Sequence, residues 1–356
     1  MAHEVLKGRN RVSAARMGLA AVLLLGRIPV LGAQEPRALG SGRGHTLGGH
    51  VFQPSSAFPD PFVADFLTSN LGGGAATDLQ VPVYNAEDSV VRVLTGDLGF
   101  VSMGSEYQRT VLPWLGVRVN FNGLVRYGTE TPSLLSEGVA ASYGFGAGAT
   151  ARVWRTDKLY LSAALEYSSN YLSGVTPLQY VEGVVHSIGK VLDSLQAIGG
   201  ITLDSAVIDS VIHSIDLTGY SLHTSSKAQN TTIGVRAAYA PVRWLGLTGL
   251  VQTGVAGLFN GPSNVWLLDV GAAADVDFEA LWRVPVGVKV SGRWQSVDEA
   301  ASDVAKSRAQ VATSVAYTGR GDFSIGFELL FSSLEQRRSD ARLAARSYTL
   351  SMRYYF

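Results

Sequence analysis

A two-residue alternation, held over unusually long windows, limits most severely what this chain can become. In 115–127 one row reads Leu115, Val117, Val119, Phe121, Gly123, Val125 and Tyr127, and the intervening row reads Gly116, Arg118, Asn120, Asn122, Leu124 and Arg126. Window 143–153 sets Tyr143, Phe145, Ala147, Ala149, Ala151 and Val153 against Gly144, Gly146, Gly148, Thr150 and Arg152. Window 266–278 sets Trp266, Leu268, Val270, Ala272, Ala274, Val276 and Phe278 against Leu267, Asp269, Gly271, Ala273, Asp275 and Asp277. Successive strand side chains point to opposite faces, so each window predicts a strand with one apolar and one mostly polar or small face. Similar windows fall at about 159–168, 231–239, 245–256, 284–294, 309–318, 323–331 and 345–356, with a less regular one at 90–103. Globular strands average about five or six residues, whereas a tilted strand crossing a bilayer needs about 9–11. Past residue 33 no run of 18 apolar residues occurs, so crossing by helices is not expected.

Composition narrows the field further. Forty residues are Gly, none is Cys, and 16% are charged, below the roughly 25% of ordinary soluble domains. The absence of Cys removes disulfide frameworks, thiolate catalysis and Cys-ligated zinc. Lys+Arg and Asp+Glu both number 29, and no basic patch stands out, so nucleic acid is not expected as a partner. The connections alternate in length. Short links at 155–158, 240–244, 280–283 and 319–322 are interleaved with longer ones at 128–138, 169–230, 257–263, 295–308 and 332–344. Short turns at one end and long loops at the other are the pattern of a membrane barrel. A soluble sandwich also alternates, but it does not explain strand length and connection rhythm together.

The N-terminus reads as an address. Lys7, Arg9, Arg11 and Arg16 precede an apolar run over 17–25, and Leu31-Gly32-Ala33 offers a small residue at the expected cut. That is the layout of a secretory signal over 1–33; Arg27 and Pro29 interrupt the run too early for a spanning helix. Removing it leaves a mildly acidic chain.

At the other end the last window places Tyr348, Leu350, Met352, Tyr354 and Phe356 on one face, with Thr349, Ser351 and Arg353 on the other. Here the chain resembles bacterial outer-membrane β-barrel proteins, whose final strand ends in an aromatic residue with apolar partners at alternate positions. The resemblance covers the architecture of roughly 78–356, and its motif is confined to 348–356. It implies an all-β transmembrane antiparallel barrel, export to the bacterial outer membrane, and contact with outer-membrane lipid and lipopolysaccharide. It also implies that the barrel-assembly machinery reads Tyr348, Leu350, Met352, Tyr354 and Phe356. Trp114, Tyr127, Tyr143, Tyr167, Tyr239, Trp266, Phe278, Trp294, Tyr317 and Phe323 fall near strand ends, as aromatic girdles would. Eleven windows from residue 90 onward, together with the even strand number of bacterial barrels, predict twelve strands, with ten or fourteen as alternatives. The twelfth falls near 79–84 despite Pro82.

Two parts do not alternate. Residues 34–77, rich in Gly and Pro, are either a periplasmic tail or a plug in the lumen; both stay open. In 170–230 Leu178, Val181, Val184, Val185, Ile188, Val191, Leu192 and Leu195 recur at helical spacing, and Ile208, Val211, Ile212 and Ile215 repeat the theme. An amphipathic helix in a long outer loop must bury its stripe, so this insertion is expected to cap or constrict the barrel.

The predicted inward rows carry Arg118, Arg126, Arg152, Glu166, Arg236, Asp269, Asp275, Asp277, Lys289, Arg293, Glu328 and Arg353. Such charges either pair across the wall and stiffen it or set a transverse field that orients polar solutes. Gly144, Gly146 and Gly148 predict a bare patch of wall, since no helix follows to make them a phosphate cradle. Chemistry is thinly represented. Of His45, His50, His186, His213 and His223 none lies in a predicted strand, and no Ser-His-acid set converges. No enzyme, metal or other cofactor is expected. The function expected is a passive channel for small solutes gated by 170–230; the alternative is a non-conducting barrel anchoring a surface loop for other envelope proteins or for assembly.

Overall fold

The computed structural model describes residues 44–84, 90–131, 133–134, 138–175, 177, 222–257, 263–297, 307–335 and 342–356. The predicted signal over 1–33 and the whole helical run in 170–230 lie outside the described residues. Two short strands, β1 (Thr46–Leu47) and β2 (His50–Val51), form a hairpin of their own. Then come β3 (Phe66–Tyr84), β4 (Val90–Leu112), β5 (Leu115–Gly128), β6 (Val139–Arg155), β7 (Leu159–Val175) and β8 (His223–Val242). The rest are β9 (Leu245–Gly257), β10 (Ser263–Asp277), helix α1 (Phe278–Trp282), β11 (Val286–Val297), β12 (Ser307–Tyr317), β13 (Phe323–Glu335) and β14 (Arg342–Tyr355).

Strands β3 to β14 pair antiparallel with their chain neighbours, and β14 pairs with β3, closing a twelve-stranded barrel. Closure leaves no strand edge, so wall backbone groups are satisfied within the ladder, as a lipid environment demands. The apolar rows face outward: Leu71, Met103, Val251, Phe327 and Leu350 are exposed, Leu71 by 61%. A continuous exposed band of this kind is a lipid surface. Connections 113–114, 156–158, 243–244, 278–285 and 318–322 lie at one end, together with the start of β3 and the finish of β14. The longer connections join strands at the other end. Aromatic residues ring both ends: Trp114, Trp154, Tyr239, Trp244 and Tyr354 at the short-turn end, and Tyr127, Tyr143, Trp266 and Trp294 toward the long loops, are exposed.

The strand count matches the expectation of twelve, but several boundaries move. The first wall strand begins at Phe66, not near residue 78, and takes in part of the Gly/Pro-rich segment. Its outward row contains Gly73, covered by the ring of Tyr348, just as Gly99 on β4 lies under the ring of Tyr127; rings covering bare strand glycines stabilise them while hiding the strand from a hydrophobic reading. Strand β4 runs to Leu112, nine residues beyond the predicted window. Strand β7 extends through Val175 and β8 begins at His223, so both ends of the 170–230 insertion are wall. Phe278 is not a strand terminus but opens α1, where Asp277 caps the helix through Glu279 N and Phe278 stacks on Trp282 at 5.1 Å.

Candidate functional site

The inward rows converge on a lumen whose short-turn half is filled by the chain itself. Residues 44–65 run from the β1–β2 hairpin to β3 and pack against the inside of the wall. Three apolar clusters anchor them. Phe52 and Phe62 meet Leu47, Tyr160, Ala238 and Ala240; Phe58 meets Leu250 and Ala273; Ala64 meets Phe66 and Tyr355. The barrel therefore has a small dry core at this end, inside an otherwise polar cylinder. Of the segment 34–77, residues 44–65 pack inside the barrel as a plug and 66–77 are wall, while 34–43 lie outside the described residues.

Polar contacts complete the plug. Gln53 N donates to Asp275 Oδ1 at 3.2 Å, and Lys289 Nζ donates to Gln53 O at 2.9 Å. Ser55 and Ser56 both donate to the Glu328 carboxylate. Arg293 Nη1 reaches Ala57 O at 3.4 Å. Val63 N donates to the Tyr160 hydroxyl at 3.0 Å, and Gln108 Nε2 donates to Phe62 O and Ala64 O, both at 2.9 Å. Asp60 is the acidic centre of the plug: its Oδ2 lies 2.6 Å from Arg353 Nη1, and its carbonyl accepts from Arg236 at 3.3 Å.

The two histidines of the plug are buried, not exposed loop residues, and His50 belongs to β2. His45 stacks on Tyr355 at 3.9 Å. Burial drives its imidazole down to about 4, against a partial upward pull from Asp60. His50 Nδ1 donates to Arg243 O at 3.2 Å. Its burial likewise drives it to about 4, with that hydrogen bond opposing. Both rings are neutral at pH 7.

Of the expected inward residues, Arg118, Arg236, Asp269, Asp275, Asp277, Lys289, Glu328 and Arg353 are buried, while Arg126, Arg152, Glu166 and Arg293 are partly accessible. Most are brought together in pairs and clusters. Arg293 Nε bonds both Asp269 oxygens at 2.9 and 3.0 Å, and Lys289 lies 3.5 Å from Asp275. Glu166 receives both Arg118 and Arg236, and Arg118 also meets Glu106 at 2.9 Å. Arg353 donates to Thr68 Oγ1 at 2.7 Å, faces Glu106 at 3.8 Å and lies 4.1 Å over the Phe66 ring. Pairing across strands is thus a fact of this lumen, and cross-strand opposite charges do stabilise sheets.

Glu106, Gln108 and Asp60 were not among the expected residues. The first two lie in the unpredicted half of β4, and Asp60 was part of a segment with no period. A Pro-Asp-Pro between aromatics (Phe58 and Phe62) was the available signal, though it names no partner. The expected bare glycine patch is occupied. A Cβ at Gly144 would lie 2.0 Å from Asn170 Oδ1 and 2.3 Å from Asn122 Oδ1, and one at Gly146 would lie 2.4 Å from Asn120 Oδ1. The glycines leave room for amides, so this wall is lined by neutral donors and acceptors.

Two cavities flank the plug. One, of about 400 Å³, opens at the short-turn end between His45, Gly49, Arg243, Asp277, Glu279 and Thr318. The other, of about 90 Å³, lies between the plug and strands β3, β4 and β14, touching Ser55, Asp60, Thr68, Asn70, Glu106 and Arg353.

No known family profile matches the chain, and no curated protein matches it. Solved structures do resemble it. The translocator domain of the autotransporter NalP from Neisseria meningitidis is 8% identical with a TM-score of 0.46, over 83% of this chain and 89% of that one. The β domain of the Bordetella autotransporter BrkA is 8% identical with a TM-score of 0.43, over 82% and 100%. A Pseudomonas aeruginosa FadL homologue is 13% identical with a TM-score of 0.43, over 87% and 96%. These are outer-membrane β-barrels, and the likeness concerns architecture alone.

Proposed function

We propose that this barrel is an outer-membrane conduit for small polar solutes, closed from the periplasmic side by its own residues 44–65. The observation that carries this is how the plug is held. The β1–β2 hairpin is a separate sheet and is not part of the barrel ladder, and the plug's ties to the wall described above run through side chains. It can therefore leave without breaking a single wall pairing. Beyond the plug the inward rows offer Asn70, Asn120, Asn122, Asn170, Thr232 and Gln252, which suit hydrated neutral or weakly charged solutes.

The 170–230 insertion serves in this reading as a second closure at the outer mouth. Inward-facing Leu98, Ala140, Val265 and Leu267 near the long-loop end are buried, and an apolar helical stripe from the insertion would pack on such residues. The short-turn end faces the periplasm, lipopolysaccharide lies against the outer aromatic ring, and the barrel-assembly machinery reads Tyr348 to Phe356. Residues 1–33 act as the export signal, and no catalysis or cofactor takes part.

The apolar anchoring of Phe52 and Phe62 favours a second reading, in which the plug is permanent and the barrel only displays its insertion. Planar-bilayer conductance of the full chain, a 44–64 deletion, a 178–221 deletion and the double deletion separates the two. Large conductance on removing 44–64, alone or with the insertion, is the expected result. Silence in all four would overturn the conduit and leave the anchor.

A further inference from the structure

A knot of three arginines gathers beside Asp60, which touches two of them, Arg236 and Arg353, while Arg118 joins through Glu106 and Glu166. Arg118 comes from β5, Arg236 from β8 and Arg353 from β14, and all three are buried, Arg236 to 1% exposure. Among the described residues their wall counter-charges are two, Glu106 and Glu166. The third negative charge belongs to Asp60, which pairs with Arg353 by its carboxylate and takes Arg236 on its carbonyl. With the plug seated the knot is neutral; with the plug gone it holds one positive charge more than the wall balances. Arg236 is incompletely satisfied even now, since its Nε is buried without a hydrogen-bond partner, as is the hydroxyl of Ser162, its register partner on β7. The cavity of about 90 Å³ opens beside the Asp60–Arg353 pair.

A buried guanidinium that loses its carboxylate is costly to leave unpaired, and a planar fork of donors is best satisfied by another carboxylate. We propose that the Arg118–Arg236–Arg353 knot is a recognition site for small carboxylate solutes, and that Asp60 is its built-in occupant. A solute carboxylate and the plug then compete for the same donors, so solute entry and plug release are one equilibrium. The inference deepens the conduit reading by giving it a substrate class. Carboxylate is favoured over other anions because the group seated there is one and because its two coplanar oxygens match the guanidinium fork.

The test titrates malonate into the folded full-length protein by calorimetry, with malonamide as the uncharged isostere and inorganic phosphate as the competing anion. D60N empties the occupant's charge without touching the wall. It should bind malonate about tenfold more tightly than the unmodified chain, and malonamide should give no heat. The 44–64 deletion should bind at least as tightly as D60N, and adding R236Q to it should weaken binding by about tenfold. In bilayers the D60N channel should prefer anions and lose chloride current on adding malonate. Equal malonate affinity in D60N and the unmodified chain, or phosphate binding as tight as malonate, would overturn the site. Tight malonate binding without conductance in any variant would keep the site and overturn the conduit.

Discussion

Between β13 and β14 thirteen consecutive residue pairs stand in register, from Phe323↔Tyr354 to Glu335↔Arg342, whereas residues 44–64 cross the same lumen with their hairpin outside that ladder. The wall is a backbone structure in which side chains choose lipid or lumen. The plug is a side-chain structure, fixed by three aromatic anchors, Asp60 and a few carbonyls. Hydrogen bonds in a closed ladder have no alternative partner in lipid, so the wall is all-or-none. Contacts through side chains facing a polar lumen can be exchanged for water or solute, each at a modest net cost. Two regions in contact over much of their surface are thus free to differ widely in stability.

That difference can be broken by substitution. Phe62→Ala removes an aromatic ring that is 1% exposed and packed on Phe52 and Tyr160; a buried Phe→Ala costs about 3–5 kcal/mol. The expected outcome is a plug that protease reaches in the folded barrel, with the thermal transition of the wall, followed by gel mobility, unchanged. A wall that melted earlier would show the two regions to be one cooperative unit. Phe327→Arg tests the opposite corner. Phe327 faces outward in β13, 47% exposed; arginine on the lipid face near the bilayer midplane costs about 2–4 kcal/mol. Denaturant unfolding in lipid should shift by that amount while plug protection in the folded fraction stays as before.

A graded effect comes from pH. Both plug histidines sit at about 4 in the folded protein against about 6.5 when released. Their burial in the neutral form therefore favours docking fully above pH 6.5 and progressively less as pH falls toward 4. At pH 5 the loss is about 2 kcal/mol for each histidine. Hydrogen exchange over 44–64 should accelerate from pH 7 to pH 5 after correction for intrinsic rates. His45→Phe with His50→Phe should flatten the response, and a response left intact in that double variant would assign it to other groups.

The legible part of the molecule was the part whose period is imposed locally. From β5 onward the outward rows are almost uninterrupted, and every window overlaps a strand, although β7 and β8 run well past theirs. The readings that missed did so for visible reasons. The lower half of β4 puts Ser105 and Arg109 outward among Met103, Tyr107 and Val111, so its alternation dissolves and Glu106 and Gln108 go unnoticed. In β3 the outward row is diluted by Ser69 and Gly73, and the ring of Tyr348, 275 positions along the chain, supplies the missing apolar surface. Asp60 finds Arg353 at a separation of 293 residues, a distance across which no periodicity carries information.

By itself the sequence determined which side chains meet lipid and which meet the lumen, because that sorting repeats every two residues and each strand decides it alone. Eleven windows and the even-number rule pointed to twelve strands, and closure of the barrel decided between that and ten or fourteen. Only the closed barrel decided that β14 lies beside β3, that Arg118, Arg236 and Arg353 share one neighbourhood, and that residues 44–65 fill the space inside. Those outcomes depend on where a twelve-stranded cylinder brings distant strands together, and the order of residues along one strand contains nothing that fixes the contents of the lumen.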